Sequence, residues 1–99
     1  MAVLSYASIS EIRRSIRQCR LIRFIYRKEE VIAEPYFFGN ARKTRAYVLR
    51  AWQLRPEAGY QYYRLGEMRD LELLKEAFTP RDSFDANDKY FGEMDTIVR

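Results

Sequence analysis

The hydrophobic periodicity of the chain changes near residue 20, and this change is the strongest limit on its fold. Before that point, apolar side chains recur every three or four residues, the spacing of one face of an α-helix, at Ile9, Ile12, Ile16 and Cys19. After it, apolar and polar residues alternate in short segments, the pattern of half-buried β-strands. The sequence therefore predicts an N-terminal amphipathic helix over residues 9–19, followed by strands.

Both ends of this helix carry signals. Ser8 and Glu11 have the S-x-x-E spacing of a capping box, in which each side chain accepts a hydrogen bond from a backbone N–H at the helix start. Cys19 stands last on the apolar stripe, so we interpret it as a small core residue rather than a reactive thiol. One cysteine cannot form an internal disulfide, which fits a reducing compartment and a cytoplasmic location.

Five short segments carry the alternating pattern, at residues 21–27, 31–39, 47–54, 60–65 and 71–74. Turns at 28–30 and 56–59 and a basic loop at 42–45 separate them. Pro35 has no backbone N–H, so the second segment is either an edge strand or bent at that position. Short strands at such close spacing favour a small, strongly bent sheet or barrel.

The last part of the sequence is polar and acidic. Residues 79–88 read as a connector, and Asn87 or Asp88 can cap a final helix that carries apolar residues on one side, at Tyr90, Phe91, Met94, Ile97 and Val98. Gly92 weakens that helix by about 1 kcal/mol relative to alanine. We therefore expect a single domain over residues 1–99, with the helix at 9–19, a β-barrel at 20–78 and an acidic tail with a short helix at 79–99.

Charge is distributed unevenly along the chain. Residues 1–66 hold 13 Lys or Arg against 5 Asp or Glu, a net charge of +8, whereas residues 67–99 hold 5 against 9, a net charge of −4. The basic part can present a surface that attracts anions. The acidic tail can also fold back and neutralise part of that surface, and the two possibilities are compatible.

Several chemistries are excluded by composition. The chain has no histidine, one cysteine and only four glycines, so it lacks His-based catalysis, zinc or iron–sulfur ligand sets and a phosphate-binding glycine loop. The acids Asp82, Asp85 and Asp88 lack the spacing of a calcium loop and suit a solvated connector. We predict a protein that is not an enzyme and has no cofactor, no metal and, without an apolar run of roughly 20 residues, no membrane span.

Arg50 is a charge at the centre of an otherwise apolar strand, YVLRAWQL. Alternation puts Leu49 and Ala51 on one face, the better core candidate, and places Arg50 with Trp52 on the other. There the guanidinium can stack on the indole while its donors stay open to phosphate or carboxylate. The alternative is structural, with Arg50 lying on Trp52 and paired with an acid such as Glu34 or Glu67.

Three stretches of the chain together resemble one protein family. They are IRRSIRQCRLIRFIYRKEEVIAEPYFFG, AYVLRAWQL and YYRLGEMRDLELLKEAF, and they run from about Ile12 to Phe78. Their order and spacing resemble the WYL domain, in particular short stand-alone members with an EP-x-x-x-G segment and an LRA-aromatic-Q strand. The resemblance implies an Sm-like, SH3-type five-stranded barrel behind an N-terminal helix. It also implies a ligand-sensing module of bacterial transcription regulation that binds nucleic acid or another anion.

The resemblance extends to some of the family's residues and not to others. The Trp-Tyr-Leu triplet falls on Ala46, Tyr47 and Val48, so only the tyrosine is kept, and the acid and second arginine expected after Arg64 and Leu65 are replaced by Gly66 and Glu67. Arg50 and Gln53 fit the LRA-aromatic-Q pattern. The candidate ligand-binding residues are Arg45, Tyr47, Arg50, Trp52, Gln53 and Arg64.

Two functions remain open from the sequence. The first is a binding module for single-stranded nucleic acid, a nucleotide or a similar anionic small molecule, because charge and stacking are the usual means of holding such ligands. The second is a protein-interaction module, either a homo-oligomer assembled edge to edge or the partner of a regulatory protein.

Overall fold

The computed structural model describes residues 5–98, which form one helix and a six-stranded antiparallel sheet. In chain order the elements are α1 (Ile9–Arg17), β1 (Arg20–Tyr26), β2 (Glu29–Ala41), β3 (Tyr47–Arg55), β4 (Gly59–Arg64), a 3-10 turn (Leu65–Glu67), β5 (Met68–Ala77) and β6 (Phe91–Ile97). Within residues 5–98 there is no helix long and apolar enough to cross a membrane.

The N-terminal helix is confirmed, although its ends differ from the prediction. Ile12 and Ile16 are fully buried, as the apolar stripe requires. The helix ends at Arg17, because Cys19 has a φ of 50°, outside the right-handed helical region, and is only half-buried. The capping box is wrong. Ser8 is the N-cap residue, but its hydroxyl accepts no hydrogen bond from a backbone N–H of the first turn. It lies 2.8 Å from the Ser10 hydroxyl instead.

β2 is the central strand of the sheet. It pairs with β3 along one edge, while its other edge pairs first with β1, at residues 29–33, and then with β6, at residues 37–41. The pairing with β3 shifts by one residue between Pro35 and Phe37, a bulge that bends the strand. Pro35 therefore lies at a bend of an interior strand, and not in an edge strand.

The prediction of a closed five-stranded barrel is wrong. Along the sheet the strand order is β4-β3-β2-β1-β5, and no ladder joins β4 to β5 within residues 5–98. β5 pairs with β1 along one edge, and near its start it is also bonded to residues 5–7, through a bridge between Tyr6 and Arg69 and a 2.8 Å hydrogen bond from the Asp70 N–H to the Ser5 carbonyl. β4 reaches β5 only through the three-residue turn. Because β4 and β5 stand at opposite ends of the strand order and only three residues connect them, the sheet must curve. It is nevertheless not closed by a ladder within residues 5–98.

The predicted C-terminal helix is also wrong, because residues 91–97 form β6 and the residues before them form neither helix nor strand. Phe91 and Thr96 are buried, and β6 pairs antiparallel with β2. Gly39 allows this pairing, since an added Cβ there would lie 2.2 Å from the Glu93 carbonyl oxygen. Gly92, a poor helix residue, is tolerated in the strand.

Apolar side chains pack on both sides of the sheet. On the helix face, Ile12 and Ile16 of α1 join a large cluster that includes Phe24, Phe38, Leu49 and Ala51. On the opposite face, a smaller cluster consists of Phe37, Ala41, Val48 and Phe91, with Phe84 and Ile97 packed against it. Residues 79–90, which we call the strap, cross this second side, which we call the strap face.

Candidate functional site

The candidate site lies on the strap face of β3 and β4. Opposite residues of an antiparallel pair project to the same side of a sheet. Val48 pairs with Arg64, Arg50 with Tyr62, and Trp52 with Tyr60, so these six side chains share that face. Leu49 and Ala51 are fully buried in the cluster beneath α1. This confirms the prediction that they lie on the core face and that Arg50 and Trp52 lie on the other face.

Arg50 is held by tyrosines rather than by Trp52. Its guanidinium carbon lies 4.3 Å from the centre of the Tyr62 ring and 5.0 Å from that of Tyr60. Its Nε is 3.8 Å from Oδ2 of Asp88 in the strap, and this acid is neither of the two expected from the sequence. Tyr62 donates a 2.5 Å hydrogen bond to the same carboxylate oxygen. Burial, together with this bond, raises the pKa of Tyr62 to about 12.

Trp52 has a different cationic partner, Arg81 of the strap, whose guanidinium carbon is 4.3 Å from the indole. The same guanidinium donates to both carboxylate oxygens of Glu34, at 2.9 and 3.3 Å, which raises the pKa of Arg81. The Arg81 backbone N–H donates to the Tyr36 hydroxyl at 2.9 Å, and that hydroxyl donates to Glu34 at 2.8 Å. Arg81 therefore fixes the beginning of the strap to β2.

A second group of cations surrounds a cavity of about 270 Å³ beside the turn between β2 and β3, which we call the cationic cleft. It is lined by Ala41, Arg42, Lys43, Thr44, Arg64, Lys89 and Tyr90, with no carboxylate among these residues. Arg42 donates to the backbone carbonyls of Lys89 and Phe91, both at 3.3 Å, and within residues 5–98 it makes no ion pair at 4.0 Å or less. Nε of Arg64 lies 4.0 Å from Oε2 of Glu67, a long ion-pair contact.

Tyr90 lines the cationic cleft, and its ring packs against that of Tyr62, which does not line it. Tyr62 and Tyr90 lie with their ring centres 4.3 Å apart, and they are 37% and 39% exposed. A separate cavity of about 240 Å³ lies between Arg50 and the strap, and we call it the Arg50 cavity. Lys89 lines both cavities, so they are neighbours on the strap face.

The structure places the predicted site residues in three regions: the strap face, the helix face and the turn between β2 and β3. Arg50, Trp52 and Arg64 lie on the strap face. Tyr47 and Gln53 project to the helix face, where Tyr47 stacks on Phe38 at 5.2 Å and Gln53 accepts a 2.5 Å hydrogen bond from the Tyr63 hydroxyl.

The sixth candidate, Arg45, lies in the turn between β2 and β3, beside a third cavity of about 370 Å³ that is also lined by Arg42 and Glu93. Further site residues were not predicted from the sequence, namely Arg42, Lys43, Tyr60, Tyr62, Lys89 and Tyr90. The alternation of YQYYR with the facing strand is a signal for Tyr60 and Tyr62.

Comparison with known proteins gives a fold and no function. No protein-family model and no curated protein matches the sequence. A solved structure, proteasome accessory factor B/C (PafBC) of Arthrobacter aurescens, matches 85% of this chain with a TM-score of 0.70 and 20% sequence identity. The chain spans 14% of the length of PafBC. PafBC contains a WYL domain, so the likeness supports a WYL-like fold for this chain, and at this identity it shows the fold alone.

Proposed function

We propose that this chain is a non-enzymatic binding module of the WYL type that takes an anionic ligand, single-stranded nucleic acid or a nucleotide, at the cationic cleft. The observation that carries the proposal is the grouping of Arg42, Lys43, Arg64 and Lys89 around one cavity with no carboxylate in its lining. Such cations attract phosphate strongly, because little internal pairing has to be broken before the ligand binds: among the ion pairs of residues 5–98, the one that involves these four cations is the long contact of Arg64 with Glu67, at 4.0 Å.

The Tyr90 ring, which packs against that of Tyr62, supplies the other half of the site. Base stacking on an aromatic ring contributes about 1–3 kcal/mol per base and tolerates any base. We therefore propose that phosphates bind the cations while a base stacks on the exposed surface of the Tyr90 ring, whose neighbour Tyr62 is covered by Arg50 and by Tyr90 itself. A lack of histidine in the chain and the WYL-like fold both favour binding over catalysis.

Fluorescence anisotropy with a labelled single-stranded oligonucleotide tests the proposal. If the four cations each contact a phosphate, the association constant falls with a log–log salt slope of about −3, or roughly 50-fold between 50 and 200 mM salt. Lys43→Gln should weaken binding and reduce the slope by about 0.7. Lys75→Gln, which removes the same charge from an exposed position on β5, is the matched control.

Two results would reject this function. The first is an absence of binding at 50 mM salt. The second is an equal loss of affinity in Lys43→Gln and Lys75→Gln, which would show that net charge alone, and not the cationic cleft, attracts the oligonucleotide.

The open sheet supports a second candidate function, a protein-interaction or self-assembly module. β4 pairs only with β3 within residues 5–98, so its outer edge can accept a strand from another chain. Light scattering after size exclusion at low and high salt tests this candidate. A salt-stable dimer or ring would support it, and a monomer at every concentration and salt would reject self-assembly.

A further inference from the structure

The strap contacts the strap face at several points, which include a 2.7 Å hydrogen bond between the Ser83 and Tyr60 hydroxyls and a 2.9 Å hydrogen bond from the Arg42 backbone N–H to the Tyr90 carbonyl. Two further contacts differ in strength. The firm point is Arg81, which is bonded to Glu34 at 2.9 and 3.3 Å and to the Tyr36 hydroxyl through its backbone. Phe84 then stacks on the Tyr36 ring at 4.8 Å and 22°. The weak point is Asp88, which reaches into the region of Arg50 and Tyr62.

The contacts of Asp88 are those that a bound anion would make. Its Oδ2 accepts a hydrogen bond from the Tyr62 hydroxyl and faces Arg50 Nε, and its Oδ1 accepts a 3.0 Å hydrogen bond from the Tyr90 backbone N–H. The side chains of Arg50 and Asp88 are 22% and 18% exposed, so the charges meet in a partly desolvated place. A carboxylate or phosphate of a ligand would find the same hydroxyl and guanidinium.

The pairing of Asp88 with Arg50 is nevertheless incomplete. The separation of 3.8 Å exceeds the roughly 2.7–2.9 Å of a charge-assisted hydrogen bond. Across residues 5–98, the guanidinium of Arg50 donates no hydrogen bond, although it adjoins the Arg50 cavity of about 240 Å³. The donors of Arg50 are therefore available to a ligand group that approaches more closely than Asp88 does.

We propose that the strap is autoinhibitory and that Asp88 is an internal competitor, which occupies Arg50 until an anionic ligand displaces it. This inference rests on the function proposed above. Lys89 provides the connection, because it follows Asp88 in the chain and lines both cavities. A ligand held in the cationic cleft extends past Lys89 to Arg50, where the charge of its phosphate repels Asp88.

Asp88→Asn is the variant that tests the proposal, since it removes the negative charge but keeps the size and the acceptor oxygen. Asp85→Asn is the matched control, because Asp85 lines the same cavity and carries the same charge without pairing with Arg50. We expect Asp88→Asn to bind a labelled single-stranded oligonucleotide about 5- to 10-fold more tightly than the wild type, and Asp85→Asn to differ by less than about twofold.

Hydrogen exchange of the wild type supplies a second measurement. Saturating oligonucleotide should speed the exchange of the strap amides near Asp88, including Tyr90, while the Arg81 amide, bonded to the Tyr36 hydroxyl, stays protected. Protection of the whole strap by the ligand would show that the strap closes over it, and would overturn the proposal.

The outcomes separate this inference from the proposed function. If wild type binds and both Asn variants bind equally, a general charge effect operates and autoinhibition is rejected, while the anion-binding function stands. If Asp88→Asn binds more weakly than wild type, Asp88 assists the ligand and autoinhibition is rejected again. If neither the wild type nor any variant binds at low salt, the proposed function is rejected, and the competitor role of Asp88 is rejected as well.

Discussion

Replacing Gly39 with alanine tests the position of β6 more directly than any other single change. Gly39 lies in β2 opposite Val48 of β3 and Met94 of β6. A Cβ added there would lie 2.2 Å from the Glu93 carbonyl oxygen and 3.1 Å from a ring carbon of Phe37. Since real Cβ atoms essentially never approach a heavy atom within 3.0 Å, the backbone of β6 would have to move by about 0.8 Å.

The energetic cost follows from that displacement. Overpacking of a tight contact costs about 1–3 kcal/mol. A shift of the β6 backbone also weakens one or two hydrogen bonds of its ladder with β2, each of which contributes about 0.5–1.5 kcal/mol. We therefore expect Gly39→Ala to lower the free energy of unfolding by about 3 kcal/mol, which corresponds to a fall in Tm of roughly 12–24 °C for a domain of this size.

Urea denaturation followed by far-UV circular dichroism measures this cost. Gly66→Ala is the matched control, because nothing lies within 4 Å of a Cβ added at Gly66, and its free energy of unfolding should stay within about 0.5 kcal/mol of the wild type. A Gly39→Ala variant as stable as Gly66→Ala would refute the pairing of β6 with β2 at this position.

Two further predictions concern pH. The hydrogen bond from Arg13 lowers the pKa of Asp95 below the unfolded value of 3.8. The pair therefore stabilises the fold above pH 3.8, and this contribution is lost as pH falls through the folded pKa. Asp95→Asn should lose less stability than wild type when unfolding is measured from pH 5 down to pH 2. The pKa of Tyr62 is shifted in the opposite direction, from 10.0 to about 12. Its contribution to the stability of the fold is therefore present below pH 10 and is lost towards pH 12. Tyr62→Phe should show a smaller fall in stability over that interval, and an unchanged alkaline profile would contradict the burial of this hydroxyl.

The local pattern of the sequence was sufficient to predict the faces of β3. Alternation put Leu49 and Ala51 in the core and Arg50 and Trp52 on the other side, because a strand repeats every two residues whatever its neighbours are. The partners of Arg50 and Trp52 could not be predicted in the same way. Asp88 and Arg81 are remote in sequence, and only the path of the strap brings them to this face.

The failure at residues 91–97 has a related cause. Phe91, Met94 and Ile97 are spaced as on a helix, and a short amphipathic segment can be read with either period. These residues form a strand because β2 has an edge free for pairing and because Gly39, which has no side chain, lets β6 approach closely. Both are properties of the assembled sheet. The cationic cleft was missed for the same reason, since Lys43, Arg64 and Lys89 come from three separate segments.

The division of the apolar side chains between two faces gives the molecule two levels of cooperativity. Hydrogen exchange in proteins commonly occurs through partial openings that cost less than global unfolding. Here the sheet lies between the large cluster under α1 and the small cluster beneath Phe84, so lifting residues 82–90 uncovers part of the small cluster and leaves the large one packed. Ile16 and Phe38 would keep their packing during such an opening. The amides of residues 82–90 should accordingly exchange by a low-energy route, while those of β1 and β2 report the stability of the whole fold.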